Sequence, residues 1–534
     1  MVNSQHTEPS MTPETIRAAV RAAMAEVTDQ AGLDEIGDQA DFFAAGLDSM
    51  AVAAIVARLQ QRLGFDVPLS AVFEYPNVNG LVSFLAGSAH VPVERMPPPA
   101  LPGAYFPAPA MTTYLARRMG PDWERTPAPV WGAVELPAGT IDPGVLRTAL
   151  DTLVERHEAL RVSLHRRGDE VLARLDPPAP IPLEVVDAPG ADDHELNRIV
   201  LARREHLFDR TRTPMAAVTL IRGTELELLF MVVDHNVADA WSLRMLLLEI
   251  GELCAGGQPE PAAEPQLTLS QWCATENRLL ADKGKEAAEF WRELLEPSWR
   301  TPGQGEVPGS APDRLTTRRF EVGAEPRRLL LERAAAEGLS LSSLLGGHLL
   351  HAVRAGLGAD RVPVVVHSIN RDLVGTSTLV ASTSRELWLS VDLTERGTPE
   401  QAAAALQSCL LQAVSRQMTP PALVLGADGL RFGPKWKPWL FLEVRLWQPV
   451  LDFPSGPVRL RSIPAAKDAS APLDLHVVDM GSHLVFELTS WPGAITPETT
   501  DQVVRTLVES VAAPSGPLPR VQDPDAAAQS PAAP

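Results

Sequence analysis

Residues 228–233, Leu-Leu-Phe-Met-Val-Val, are apolar without alternation, and the chain then turns polar in "DHNVADAWSL" (234–243). A strand with no in-out alternation has to be covered on both faces. A helical pattern follows from about Ser242 to Cys254, so this stretch reads as strand, polar loop, helix. His235 lies between Asp234 and Asp239 in that loop. On residue types alone such a histidine fits a general base or a core group satisfied by its neighbours.

The rest of the chain alternates in the same style. Asp142-Pro143 is an N-cap and first-turn pair opening a helix with Leu146, Leu150, Leu153 and Val154 on one face. Two more helices within 325–355 precede the strand "VPVVVHS", and His348 and His351 lie in an apolar helix, which assigns them to core. This alternation predicts α/β architecture. "GSAHVPVERMPPPALPGAYFPAP" (87–109) is proline-rich and aperiodic, as expected of a semi-extended linker. "EPSWRTPGQGEVPGSAPD" (296–313) divides the large unit into two lobes, and the last twenty-odd residues are expected to be disordered. The predicted organisation is a small helical unit over 12–88, a linker over 89–109, a large unit over 110–512 with lobes at about 110–296 and 314–512, and a tail over 513–534.

Charge and composition exclude several partners. A formal net charge of -20 argues against a nucleic-acid groove or an anionic membrane. No apolar run approaches a membrane span, and the N-terminus does not read as a secretion signal. Three dispersed cysteines form neither a disulfide framework nor a metal-ligand spacing. A cytoplasmic protein is expected, with no metal site.

In the small unit, Ile16, Val20, Met24 and Val27 recur at helical spacing, as do Val52, Ile55, Val56, Leu59 and Leu63, and a last helix carries Leu81, Phe84 and Leu85. A long loop places Ser49 at the start of the second helix, where free amides and the helix dipole favour an anion. Read alone, Ser49 is equally an N-cap. "DFFAAGLDSM" (41–50) and the bundle around it resemble the phosphopantetheine site of acyl and peptidyl carrier proteins. That resemblance implies a four-helix all-α carrier domain with 4′-phosphopantetheine on Ser49, installed by a phosphopantetheinyl transferase. Acidic residues outnumber basic ones eleven to four across residues 1–90, which suits basic patches on partners.

The large unit resembles the condensation domains of nonribosomal peptide synthetases. "RHEALRVSL" (156–164), "DHNVADAWSL", "FWRELL" (290–295), "SINR" (368–371) and "PLDLHV" (472–477) fall in the family's order. The resemblance implies two chloramphenicol-acetyltransferase-like lobes with a tunnel between them. It makes His235 the catalytic histidine and Asp239 a buried aspartate paired with arginine, for which Arg371 is the candidate. Arg156 and Arg161 are expected to brace the loop. The sequence departs from the family at Asp234, where the first histidine of the motif belongs, and at Ala240, its glycine. Met111 replaces a glutamine and Ala381 a later glycine.

The expected function is that of a free-standing synthetase component. It would carry an acyl or aminoacyl thioester, loaded by a separate adenylation enzyme, and transfer it to an amine or hydroxyl acceptor. The acceptor would sit on another synthetase or be a soluble peptide or amine. Two alternatives stand beside it. "DHNVADAWS" also satisfies the D-x-x-x-x-D-x-x-S signature of heterocyclisation domains, and a worn condensation fold could serve only to recruit another enzyme. "FGPKWKPWLFLEVRLW" (432–447) is a basic aromatic stretch that would meet a carrier, line the acceptor mouth, or simply lead into a core strand.

Overall fold

In the computed structural model, the described residues are 12–28, 37–40, 42, 55–56, 58–60, 62–65, 67, 71–72, 75–87, 97–257, 267–299, 315–371, 373, 375–376, 378–425, 439–445, 450–453, 456–461, 471–512 and 518–522. The small unit contains α1 (Pro13–Thr28) and α2 (Val78–Gly87). Ile16, Val20, Met24, Phe42, Ile55, Val56, Leu59, Leu63, Leu81 and Leu85 share one buried cluster, so the helical stripes meet as their spacing requires. Asp38 accepts from both Arg17 and Arg21 and ties the loop back to α1.

The large unit begins earlier than composition suggests. Pro97 O accepts from Gln271 at 2.8 Å and the Ala100 amide donates to Ser270 Oγ at 2.9 Å. Residues Tyr105–Pro107 form β1. The proline-rich stretch expected to be a linker up to 109 is therefore anchored from 97 onward, because its few amides find partners on the domain.

The first lobe contains α3 (Ala110–Met119), β2 (Pro129–Pro137), α4 (Pro143–Arg156), β3 (Val162–Arg167), β4 (Glu170–Leu175), β5 (Leu183–Asp187), α5 (Asp193–Arg204), β6 (Ala216–Arg222), β7 (Leu226–Asp234) and α6 (Ala240–Cys254). Asp142 caps α4 by accepting from the Gly144 and Val145 amides. β7 is buried from Glu227 to its end, as its unbroken apolar run requires, although both of its neighbours, β2 and β6, are antiparallel. A long helix, α7 (Leu269–Trp299), leads to the second lobe.

The second half of the chain holds β8 (Thr316–Val322), α8 (Ala324–Ala336), α9 (Leu341–Leu357), β9 (Arg361–Ser368), β10 (Arg385–Asp392), α10 (Pro399–Val414), β11 (Leu440–Arg445), β12 (Val450–Phe453), β13 (Gly456–Leu460), β14 (Leu473–Asp479), β15 (Leu484–Ser490) and α11 (Pro497–Val511), most of which build the second lobe. Its sheet runs β10-β9-β11-β14-β15-β8. The two lobes are not separate in sequence: β12 and β13 join the first lobe's sheet, in the order β12-β13-β2-β7-β6-β5. Only tertiary pairing shows this, since a strand pattern does not name its partner. The tail also departs from expectation, because Gln522 exchanges two backbone hydrogen bonds with Arg319 on the edge strand β8.

Gly347 lets α9 and α10 approach closely, since a Cβ there would stand 2.4 Å from the Pro399 carbonyl oxygen. Beside it, His348 is fully buried and neither ring nitrogen has a hydrogen-bond partner. Burial pushes its pKa down to about 4. The folded state therefore keeps the ring neutral while the unfolded chain, near the ordinary 6.5, takes up a proton first. Stability should fall as pH drops from about 6.5 to 4. Urea midpoints across that range check it, and His348→Leu should flatten the dependence.

Candidate active site at the junction of the lobes

The site grows from the end of β7. The His235 amide donates to the Ala128 carbonyl at 2.6 Å, and the Val237 and Ala238 amides donate to the Asp234 carbonyl. This tight turn ends at Asp239, the N-cap of α6. His235 is exposed while Asp234, Asn236, Val237, Ala238 and Asp239 are all buried. Its Nδ1 lies 3.1 Å from the Ala238 carbonyl oxygen. A carbonyl only accepts, so Nδ1 carries the proton, and in the neutral ring Nε2 keeps the lone pair. Ser382 Oγ from the second lobe stands 3.4 Å from the same Nδ1.

Asp239 does not reach His235; it holds the frame. Its carboxylate accepts from the Ser242 amide and hydroxyl at 2.8 Å, which caps α6. From the second lobe it accepts from Arg371 Nη2 at 3.0 Å, the Thr383 amide at 3.0 Å and hydroxyl at 2.9 Å, and the Ser384 amide at 3.1 Å. Burial by itself would raise the Asp239 pKa, but the Arg371 charge and these hydrogen bonds outweigh it and hold the carboxyl down at about 2. Arg371 also donates to the Thr376 and Leu379 carbonyls. The preceding Asn370 sits at φ 51°, a left-handed position that asparagine tolerates, and its side chain donates to the Thr383 carbonyl. Ala381 is bound at both backbone groups by Ser242 Oγ.

Asp234 also has a charged partner. Its Oδ2 accepts from Arg210 Nε at 3.0 Å, and Oδ1 accepts from the Asn236 amide at 2.9 Å. Arg210 further donates to the Trp123 and Thr126 carbonyls and lies 4.8 Å from the Trp123 ring centroid. Arg210 was invisible to sequence reasoning: "DRTRT" carries no motif, and the antiparallel pair β6–β7 separates it from Asp234. Both aspartates are thus committed to guanidinium groups, which leaves no carboxylate pair for a cation.

The remaining expected residues fall farther out. Ala240 is exposed at the first turn of α6, beside the loop. Arg156 pairs with Glu249 of α6 at 2.9 Å, and His157 bonds the same carboxylate at 2.7 Å. Arg156 therefore braces the helix, not the loop itself, which corrects the expectation. Arg161 Nε is buried without a hydrogen-bond partner among the described residues. A second buried pair, Arg385 with Glu276, joins β10 to α7, and Glu276 Oε2 accepts from the Ala110 amide at 2.7 Å. Ser49 lies outside the described residues. Phe42 and Ile55, the nearest described residues on either side of it, are both buried in the small unit's core. Residues 432–438 also lie outside, whereas 440–445 form β11, a core strand.

Comparison with known proteins agrees with this geometry. The family model for the phosphopantetheine attachment site matches residues 18–85, and that for the condensation domain matches residues 133–352. A dimodular nonribosomal peptide synthase of Bacillus subtilis (strain 168) is 29% identical over 362 residues, covering 62% of this chain and 14% of that protein. Tyrocidine synthase 3 of Brevibacillus parabrevis is 26% identical over 276 residues, 51% of this chain and 4% of that protein. The chain thus spans a small part of these relatives. Among solved structures, the X-domain from teicoplanin biosynthesis superposes with a TM-score of 0.63 at 19% identity, covering 77% of this chain and 95% of that one. The first condensation domain of the calcium-dependent antibiotic synthetase gives 0.61 at 18% identity, covering 77% and 97%. These likenesses show the fold. Among the described residues no helix is long and apolar enough to cross a membrane.

Two stability predictions follow from the buried pairs. Asp239→Ala or Arg371→Ala should each cost about 3–5 kcal/mol, because each leaves an uncompensated buried charge. Asp239→Leu combined with Arg371→Met should cost less than the sum of the singles in a denaturant-unfolding cycle. Asp234→His, which restores the family's residue, should lower Tm here, since it sets an imidazole against Arg210 in place of a carboxylate. Combining it with Arg210→Met should recover part of that loss in a thermal melt.

Proposed function

We propose, for a chain that is a carrier–condensation didomain of the nonribosomal peptide synthetase type, that it holds an acyl or aminoacyl group on Ser49 and transfers it to an amine or hydroxyl acceptor supplied in trans. The phosphopantetheine bound by such a carrier domain supplies a thiol that activates the acyl group as a thioester. The single observation supporting transfer is His235: the one exposed side chain of its turn before α6, with a free Nε2, on a loop whose two carboxylates are held by arginines. Nε2 would accept a proton from the attacking nitrogen or oxygen. Asp239 and Arg371 are positioning residues that keep the loop and the second lobe in register. Asp234, held by Arg210, would replace the first histidine of the family motif as a structural group.

The anchoring at Pro97 bears on how the carrier reaches the site. Between Gly87 and Pro97 only residues 88–96 remain, at about 3.1 Å each when fully extended. The carrier domain would therefore work close to the large unit. Loading would come from a separate adenylation enzyme after modification by a phosphopantetheinyl transferase.

A second reading has support in the altered motif. An X-domain of the same fold has been solved in complex with OxyB, and Asp234 and Ala240 depart from the condensation pattern. On that reading the large unit recruits another enzyme without chemistry of its own.

Intact mass separates these readings. Treatment with a phosphopantetheinyl transferase and coenzyme A should add one arm to the wild type and none to Ser49→Ala. A panel of adenylation enzymes and amino acids then identifies the donor by mass gained. In single-turnover transfer His235→Ala should slow the reaction by about 10²-fold or more, the range expected for loss of a general base. No transfer by the loaded wild type would favour recruitment, and an unchanged rate in His235→Ala would remove His235 from the chemistry.

A further inference from the structure

A row of charged and imidazole side chains crosses the second lobe's sheet, and one of its members, His476, lies in the segment "PLDLHV". Strand register sets it: Glu386 of β10 opposes His367 of β9, Glu443 of β11 opposes His476 of β14, His476 opposes Glu487 of β15, and Glu487 opposes Arg319 of β8. The register that pairs Leu442 with Val366 brings Glu443 beside His367. Side chains alternate along a strand, so this row shares one face. The opposite face carries Val366, Leu442, Leu475, Phe486 and Phe320, which are buried in the lobe's core.

The near end of the row adjoins the active site: Ser382, which stands 3.4 Å from His235 Nδ1, lies four residues before Glu386, the partner of His367. His235 and His367 lie within electrostatic reach of each other, and His367 also senses Glu386, Glu443 and His476. His367 keeps accessible surface yet is ringed by protein, and that desolvation lowers its pKa. The Phe441 ring stands between the two histidines of the row, 4.8 Å from His367 and 5.5 Å from His476.

Glu443 fixes the state of His476. Its Oε2 lies 2.8 Å from His476 Nδ1 and 2.8 Å from Arg445 Nη2. Burial works to raise the Glu443 pKa, but these two partners hold it well below the usual carboxylate range. A carboxylate accepts, so Nδ1 of His476 carries the proton, and in the neutral ring Nε2 has the lone pair. This is the arrangement of an oriented base.

We propose that His476, oriented by Glu443, is a second proton-accepting site on the half-exposed face of this sheet, and that it takes the proton an ammonium acceptor must lose before its nitrogen can attack. The inference rests on the transfer reading above with an amine acceptor. Forming the C–N bond and breaking the C–S bond removes two protons from an ammonium: one leaves before attack and one as the tetrahedral centre collapses. His235 suffices for the second, which passes to the departing sulfur. The first goes to His476 Nε2 and then to bulk water. His367, between the two sites, connects them.

Two measurements test this on the full chain. With ¹⁵N-histidine labelling, the His476 ring should be in the Nδ1–H form, and Glu443→Leu should return it to the Nε2–H form that free histidine prefers. An Nε2–H ring in the wild type would overturn the proposal. In single-turnover transfer, His476→Gln should slow reaction with butylamine at pH 7 by about tenfold more than with O-methylhydroxylamine, which is already neutral at that pH, and the gap should close above the amine's own pKa. Equal slowing with both nucleophiles at every pH would make His476 merely structural and overturn it. A wild type that transfers to neither nucleophile would overturn the transfer reading itself, and that control separates the two failures.

Discussion

The buried carboxylate of Asp239 is the joint on which the two lobes depend. It caps α6 from within the first lobe and accepts from Arg371, Thr383 and Ser384 of the second. Because a carboxylate stripped of water is costly unless fully hydrogen-bonded, the loop carrying Asp239 and the segment 371–384 have few alternatives to this arrangement. His235, four residues upstream, inherits its position from that constraint. Ser382, one residue before Thr383, inherits a place against the His235 ring for the same reason.

A motif can change its letters and keep its geometry where the replacement finds a partner. Asp234 stands where the family has histidine, and it would be a buried liability without Arg210. With the guanidinium in place, and with the Trp123 and Thr126 carbonyls accepting its other donors, the Asp234 carboxylate is paired. The chemistry of the first motif position is thereby separated from its structural duty. His235 is left as the group with an open nitrogen.

Long-range pairing also decides how the units relate. β12 and β13 leave the second half of the sequence to complete the first sheet, Gln522 closes on the edge of β8, and residues 97–107 attach to the first lobe. Each uses backbone hydrogen bonds, which any sequence with free amides can make. For that reason none was legible as composition: proline content made 97–109 look like linker, and the small polar tail looked unable to order.

Local pattern and motif spacing carried much of the sequence's meaning. The helical stripes of Ile16, Val20 and Met24 specified a bundle, the unbroken run 228–233 specified a strand covered on both faces, and Asp142-Pro143 specified a helix start, because these depend on neighbours within a few residues. Motif order marked His235, Asp239 and Arg371 before any contact was visible. What only the tertiary structure decided is which groups meet: Arg210 with Asp234, Glu443 with His476, Arg156 with Glu249 rather than the loop. Side-chain partners are chosen by strand register and by the crossing of distant segments, and a one-dimensional pattern encodes the face a residue takes but not the residue waiting on the other side.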